Sequence, residues 1–167
     1  NFSLYVGAIE PRKNICNLLV AHEYAVDNGL ISDKLLLVSS QSWFEEEVKN
    51  LLGKMEHSIL LNSIEEDELA WLYSRAIRVY MTTYYEGYGM PAAEGQAFGA
   101  NIICTDIIEL REASKNKEIY VGTSSIEIYE GIGLSLKRDQ SMKKREFDCT
   151  LDLYEKQVDL YLKRLSD

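Results

Sequence analysis

Short apolar runs alternate with helical stretches along most of this chain, and this alternation limits the folds open to it. The runs are apolar at nearly every position, as expected of strands that are buried on both faces. Strands of this kind, separated by helices, form parallel sheets that helices cover on both sides. The sequence therefore predicts an α/β fold with a doubly wound parallel sheet. The predicted strands are residues 2–7, 34–39, 58–61, 77–81, 101–105 and 118–121, and the predicted helices are residues 14–28, 43–54, 91–98 and one that begins at 65–68.

The segment after the fourth predicted strand combines glycines, a proline and two carboxylates. It runs from Glu86 to Glu94, and Pro91 lies where the first turn of a helix would begin. Gly87 and Gly89 allow a ligand to approach the backbone closely, and the start of a helix attracts anions. Because carboxylates accept hydrogen bonds from hydroxyls, the combination suits a ligand with phosphate and hydroxyl groups, such as a sugar nucleotide. Glycine and proline at a strand–helix turn also occur without any ligand, so this segment alone leaves both interpretations open.

A basic pair, Arg12 and Lys13, follows the first predicted strand and its terminal Gly7. The carboxyl ends of parallel strands lie at one edge of the sheet, where ligands of such folds bind. We therefore expect this pair beside Glu86, where either cation is able to bind a phosphate. The alternative is a solvated pair next to a helix that has Asn14 as its N-cap, and the pair taken alone favours that alternative.

Composition narrows the classes of function. The chain has 167 residues, of which 46% are hydrophobic, and a net charge of -9, so it reads as one soluble domain without a nucleic-acid-binding surface. Its cysteines (Cys16, Cys104 and Cys149) and its histidines (His22 and His57) show no metal-binding spacing, and both histidines are interpreted as structural. The scattered cysteines fit a reducing compartment, and no apolar run approaches the ~20 residues of a membrane-spanning helix.

Taken together, the motifs resemble glycosyltransferase family 4, whose members are retaining enzymes built from two Rossmann-like domains in the GT-B architecture. The matching blocks are residues 5–14, 63–69, 86–94 and 99–103, in the order and spacing of the family. The resemblance is to the C-terminal, donor-binding domain. It implies that residues 1–167 form a single Rossmann-like domain and that the N-terminal, acceptor-binding domain of the enzyme is absent from this chain.

The resemblance also implies roles for individual residues. Glu86 matches a glutamate associated with the donor sugar, and Glu94 matches one associated with the ribose hydroxyls. Lys13, helped by Arg12, matches the basic side chains that neutralise the diphosphate as the nucleotide leaves. Catalytic roles are therefore expected of Glu86, Lys13 and Arg12. Many members carry an arginine where this chain has Ala8, and Arg12 is expected to replace it. Further donor contacts are expected from Gly7, Leu61, Asn62, Gly87, Tyr88, Gly89 and Met90.

The implied reaction is transfer of a hexosyl group from a UDP- or GDP-sugar to a glycan or lipid-linked acceptor in polysaccharide biosynthesis. The nucleotide sugar is then the donor substrate, with no cofactor and no divalent metal, and the isolated domain is expected to be inactive. The expected location is the cytoplasm, where the full-length protein associates peripherally with the inner face of the membrane. Two alternatives stay open: a noncatalytic nucleotide- or glycan-binding module, and a different α/β enzyme such as an epimerase or a phosphatase.

The apolar pattern in the last part of the chain predicts one long amphipathic helix over residues 142–165. Phe147, Leu151, Tyr154 and Val158 recur on one face, while the remaining positions are rich in charge. Such a helix either covers the sheet or docks another domain. The resemblance implies that it crosses back to the acceptor-binding half.

Overall fold

A computed structural model describes residues 1–40, 46–62, 64–114 and 118–138. Within these ranges six strands form one sheet in which every pairing is parallel, and the strand order is β3-β2-β1-β4-β5-β6. The predicted doubly wound sheet is confirmed, and each strand lies within one residue of its predicted bounds. The strands are β1 (Phe2–Val6), β2 (Lys34–Val38), β3 (Ser58–Leu61), β4 (Arg78–Met81), β5 (Asn101–Thr105) and β6 (Ile119–Val121).

Helices cover both faces of the sheet. They are α1 (Ile15–Asp27), α2 (Glu46–Leu52), α3 (Glu66–Arg75), α4 (Met90–Ala97), α5 (Ile108–Ala113) and α6 (Ser125–Lys137), and a 3-10 turn spans Pro11–Lys13. Successive residues of a strand point to opposite faces, so one strand supplies two cores. Leu35 and Leu37 of β2 pack in the core beneath α1, α2 and α6, while Leu36 and Val38 pack in the core beneath α3, α4 and α5. Burial on both faces explains why the strands are apolar throughout.

Two predicted helices lie partly or wholly outside the described residues. The helix predicted at 43–54 is described from Glu46 onward, and residues 142–165 lie outside the described part of the chain. Asn14 occupies the N-cap position of α1 with φ 58°, but its side chain makes no capping hydrogen bond there. Its amide instead donates to the carbonyl of Thr123, and its side-chain oxygen accepts from Asn17. Asn14 is thus the N-cap residue of α1, as predicted, but its side chain bonds to Thr123 and Asn17 and not to the amides of the first turn.

A buried polar network lies at the amino-terminal edge of the sheet. Arg78 of β4 donates to both carboxylate oxygens of Asp33 at 2.8 Å, and its Nε donates to Ser135 of α6 at 2.8 Å. Ser3 of β1 donates to the same carboxylate at 2.5 Å. The Asp33 carbonyl lies 2.9 Å from Nε2 of His22 on α1. Charge pairing and hydrogen bonding thus compensate the burial of both ions.

Candidate functional site

The strand order reverses between β1 and β4, and the loops that leave these two strands meet at the carboxyl edge of the sheet. The helix after β1 leads toward β2 and the helix after β4 leads toward β5, so a crevice opens between them. Three hydrogen bonds join the two loops there. The Arg12 carbonyl accepts from the Tyr84 amide at 2.7 Å and from the Thr83 hydroxyl at 2.9 Å, and the Lys13 carbonyl accepts from the Thr82 hydroxyl at 3.3 Å. The basic pair is therefore fixed against the segment that carries Glu86.

Charged side chains meet within this crevice. The Lys13 ammonium, in a residue only 9% exposed, donates to the Glu86 carboxylate across a separation of 73 residues. The Arg12 guanidinium lies 3.6 Å from Glu86 and donates to Glu10 at 2.7 Å. The Gly87 amide also donates to Glu86, at 3.1 Å. The expected placement of Arg12 and Lys13 beside Glu86 is thus observed, and the alternative of a solvated pair does not describe Lys13.

These contacts fix the charge of Glu86. Partial burial would raise the pKa of Glu86, but the hydrogen bonds from Lys13 and Gly87 and the charge of Arg12 outweigh it, so the pKa lies below its usual value. Burial opposes the charge of Arg12, yet the carboxylates of Glu10 and Glu86 raise the pKa of Arg12 overall. The cluster therefore joins two basic side chains to the carboxylates of Glu10 and Glu86. An incoming anion has to compete with those carboxylates for the cations.

The start of α4 closes the loop that follows β4. Gly89 is the N-cap of α4 with φ 89°, and a Cβ at this position would overlap the buried Leu110 of α5. Gly87 has no left-handed angle, so of these two glycines only Gly89 adopts a conformation that disfavours other residues. Pro91 lies in the first turn as predicted. The side chains of Tyr84, Tyr85, Tyr88 and Met90 are all exposed around this corner.

Glu94 lies on α4 with neighbours different from those of Glu86. The Glu94 side chain is half-buried and close to Tyr73 of α3. Burial is the main cause that raises the pKa of Tyr73, and the Glu94 carboxylate raises it further. The Tyr73 hydroxyl is buried without a hydrogen-bond partner among the described residues. The sequence motifs single out neither Tyr73 nor Glu10. The acidic neighbour of a basic pair was a visible signal for Glu10, whereas nothing in the sequence links Tyr73 to Glu94.

The other predicted donor contacts lie along the same edge of the sheet. Gly7 follows β1 directly, and its amide donates to the Val38 carbonyl at 3.0 Å. Leu61 is the buried last residue of the edge strand β3, and Asn62 is exposed just beyond it. With strands about 4.8 Å apart, β3 lies roughly 15 Å across the sheet from β4. The structure therefore places the selected residues along an edge, and polar side-chain contacts join Arg12, Lys13, Glu86 and Gly87.

The strand order and the loop cluster at its reversal define a Rossmann-like α/β domain with a candidate ligand site at the carboxyl edge of β1 and β4. Residues 1–146 match the family model described as "Glycosyl transferases group 1". The chain belongs to this family, and the resemblance to GT-B glycosyltransferases is confirmed.

Curated relatives agree with this assignment. The chain is 25% identical over 146 residues to "O-antigen chain mannosyltransferase B" of Escherichia coli and 28% identical over 126 residues to "O-antigen chain mannosyltransferase RfbU" of Salmonella typhimurium. These matches include 86% and 72% of this chain but only 38% and 34% of the relatives. The chain thus spans about a third of the length of the curated relatives that it matches.

Two solved structures share the fold. Sucrose-phosphate synthase of Thermosynechococcus elongatus superposes with a TM-score of 0.69 at 19% identity, over 99% of this chain and 46% of that one. The C-terminal domain of a glycosyl transferase group 1 family protein of Francisella tularensis gives 0.67 at 16% identity, over 82% of this chain and 76% of that one. Separately, no helix in the described ranges is long and apolar enough to cross a membrane.

Proposed function

We propose that this chain is the nucleotide-sugar-binding domain of a retaining glycosyltransferase that transfers a hexosyl group from a UDP- or GDP-sugar to a glycan or lipid-linked acceptor. The observation that carries the proposal is the cluster of Lys13, Arg12 and Glu86 at the strand-order reversal. The names of the relatives favour mannose as the sugar and a polysaccharide as the acceptor.

Electrostatic stabilisation of the leaving diphosphate is the proposed contribution of the basic pair. Negative charge develops on the diphosphate as the bond to the sugar breaks, and preorganised cations stabilise that charge most strongly where water is excluded. Lys13 is nearly buried and its backbone is held by Thr82, so it needs little rearrangement to act. One well-placed donor of this kind contributes roughly 2.7–4 kcal/mol in other enzymes.

The carboxylates serve the hydroxyl groups of the donor in this proposal. Glu86 lies beside the diphosphate site and accepts from the sugar, while Glu94 accepts from the ribose. Leu61 and Asn62, farther along the edge, border the base. The span of roughly 15 Å between β3 and β4 accommodates an extended nucleotide sugar. No metal or other cofactor is part of the proposed site.

The whole enzyme is proposed to include an acceptor-binding domain as well. The small share of each relative that this chain spans supports this part of the proposal. The isolated chain then binds the donor without transferring it, and the full-length protein acts in the cytoplasm, peripherally at the inner face of the membrane. A full-length protein that binds the donor but neither transfers nor hydrolyses it would instead be a noncatalytic nucleotide-binding module.

Calorimetry on the 167-residue chain tests the assignment of the basic pair. Wild type, Lys13→Ala and Glu94→Ala are titrated with GDP, UDP, GDP-mannose, UDP-glucose, guanosine and uridine. We expect Lys13→Ala to weaken the preferred diphosphate by about 10- to 100-fold, because a charge-assisted hydrogen bond is lost, and to leave the nucleoside nearly unchanged. Glu94→Ala should weaken the nucleoside and the diphosphate alike, because both carry the ribose.

The control is Lys49→Ala, which removes an exposed lysine of α2. Equal losses for nucleoside and diphosphate in Lys13→Ala would contradict the diphosphate role, and unchanged affinities in Glu94→Ala would contradict the ribose role. The retaining outcome is tested on the full-length enzyme by determining the anomeric configuration of the product. Inversion would overturn that part of the proposal.

A further inference from the structure

Three side chains of types that can ligate a metal lie together at the edge of the sheet opposite the candidate donor site. Glu23 and Asp27 lie one turn apart at the end of α1, and His57 lies in the loop that enters β3. One ligand atom from each residue lies within 4.8 Å of the other two, and His57 Nε2 is 3.9 Å from Asp27 Oδ1. Because α1 runs from the carboxyl edge of β1 to the amino edge of β2, this cluster is separate from the crevice of Lys13.

Backbone hydrogen bonds fix the Glu23 side chain and the backbone of His57. The Glu23 carboxylate accepts from the amides of Glu56 at 2.7 Å and His57 at 3.3 Å, so the loop is fastened to α1. The His57 carbonyl accepts from the Leu35 amide at 2.8 Å, which fastens the same loop to β2. A carboxylate with two amide donors still has lone pairs available for a metal. The loop therefore presents His57 at a fixed position beside Glu23.

The local charge favours a cation. Glu23 and Asp27 each bring a carboxylate, and α1 ends at Asp27, where the carbonyl end of the helix adds partial negative charge. An imidazole nitrogen with two carboxylate oxygens is a donor set for zinc and similar transition metals, whereas Mg²⁺ and Ca²⁺ favour oxygen donors alone. The donor set of this cluster therefore suits transition metals better than Mg²⁺ or Ca²⁺.

We infer that Glu23, Asp27 and His57 form a binding site for a divalent transition metal, with Zn²⁺ as the representative ion and water as the fourth ligand. Ligand atoms about 2.0–2.2 Å from zinc in a tetrahedron lie roughly 3.3–3.6 Å apart, so the 3.9 Å between His57 Nε2 and Asp27 Oδ1 has to shorten by about 0.5 Å. Asp27 can make that movement, because its side chain is 63% exposed. The bound ion would join the end of α1 to the entrance of the edge strand β3. This site does not depend on the proposed transferase function.

Zinc titration of the chelator-treated 167-residue chain tests the site. We expect saturable binding of one equivalent by calorimetry, and a rise in thermal midpoint of about 5–10 °C at a hundredfold excess over the dissociation constant. His57→Ala and Asp27→Asn should each weaken zinc binding at least tenfold. The matched control, Asp67→Asn, changes an exposed carboxylate at the start of α3 and should bind zinc like wild type.

Cobalt substitution identifies the ligands by their spectrum. Co²⁺ in a tetrahedral site of nitrogen and oxygen ligands gives visible absorption bands without the near-ultraviolet band of a cobalt–thiolate bond. The thiolate band would overturn the proposal, because the ion would then lie on a cysteine. Affinity unchanged by both His57→Ala and Asp27→Asn would overturn it equally. Asp27→Asn alters an exposed side chain, so it decides the outcome even if His57→Ala fails to fold.

Discussion

At the scale of single residues, the site depends on a lysine that the fold almost buries. A buried ammonium group requires a counter-charge, and Glu86 supplies it to Lys13. The same carboxylate also lies 3.6 Å from Arg12. Glu86 therefore keeps both cations in position before any ligand arrives. It also opposes a diphosphate that binds the same cations, because two anions then lie side by side.

This arrangement predicts an unusual effect of Glu86→Gln. The variant keeps the shape of the side chain but removes a negative charge next to the proposed diphosphate site, so we expect free GDP or UDP to bind several-fold more tightly. Transfer by the full-length enzyme should fall at the same time, because the carboxylate proposed to hold the donor sugar is gone. Calorimetry and a transfer assay measure the two effects. Weaker binding of the free diphosphate in Glu86→Gln would contradict the proposed competition.

At the scale of elements, the junction between the β4 loop and α4 is set by α5. Leu110 of α5 is fully buried and fills the space beside Gly89, which adopts a left-handed angle as the N-cap of α4. A side chain at Gly89 would face both a steric and a conformational penalty. The direction of the proposed donor-binding loop thus depends on a helix that contributes no residue to the predicted site.

We therefore expect alanine substitutions at two nearby glycines to have different effects on stability. Gly89→Ala should lower the free energy of unfolding by about 1–3 kcal/mol, because it combines a positive φ with overlap on Leu110. Gly87→Ala is the matched control, since a Cβ there meets nothing within 4 Å and φ is not positive. Its stability should stay within about 0.5 kcal/mol of wild type. Urea denaturation measures both, and equal destabilisation by the two variants would refute the steric explanation.

The sequence predicts these elements to different extents for physical reasons. Strands buried on both faces leave a continuous apolar signal, so their bounds are nearly right. Helix α6 was not predicted, although Ser124 and Glu127 cap each other reciprocally at its start and give a recognisable signature. Helix α5 is short and has little periodicity to detect. The rule that the carboxyl ends of parallel strands share one edge placed Lys13 near Glu86. The ion pair itself joins distant parts of the chain, so no local pattern shows it.

At the scale of the whole molecule, the buried network around Arg78 and Asp33 joins β1, β4, α1 and α6 at one edge of the sheet. His22 belongs to it through Asp33 and lies 3.3 Å from the Tyr80 hydroxyl. Burial lowers the pKa of His22 to about 4, against the partial compensation of its hydrogen bond to Asp33. The folded protein therefore keeps His22 neutral, as its interpretation as a structural residue requires.

The lowered pKa predicts an acid-sensitive stability. Between pH 6.5 and about 4 the unfolded chain protonates this histidine while the folded chain does not, so stability falls as the pH drops through that window. The loss is on the order of 3 kcal/mol. We expect His22→Gln to be less stable at pH 7 but to lose less stability on acidification. Urea denaturation at pH 7, 5.5 and 4 measures this difference.

Ser3→Ala provides the control, because it weakens the same network without removing a titrating group. It should lower stability at every pH and retain the wild-type acid dependence. An acid dependence in His22→Gln equal to that of wild type would show that other groups are responsible.

The hydrogen bonds that join Arg12 and Lys13 to the β4 loop have a consequence for how the domain acquires its site. These contacts cross about 70 residues of sequence, so they close only after β1 and β4 have paired. Contacts of such separation form late, because a long loop of chain has to be ordered first. The proposed diphosphate affinity should consequently emerge together with the pairing of β1 and β4. Diphosphate binding during refolding would then report when β1 and β4 have paired. Fragments that end before β4 carry both cations but lack the loop that holds them in place.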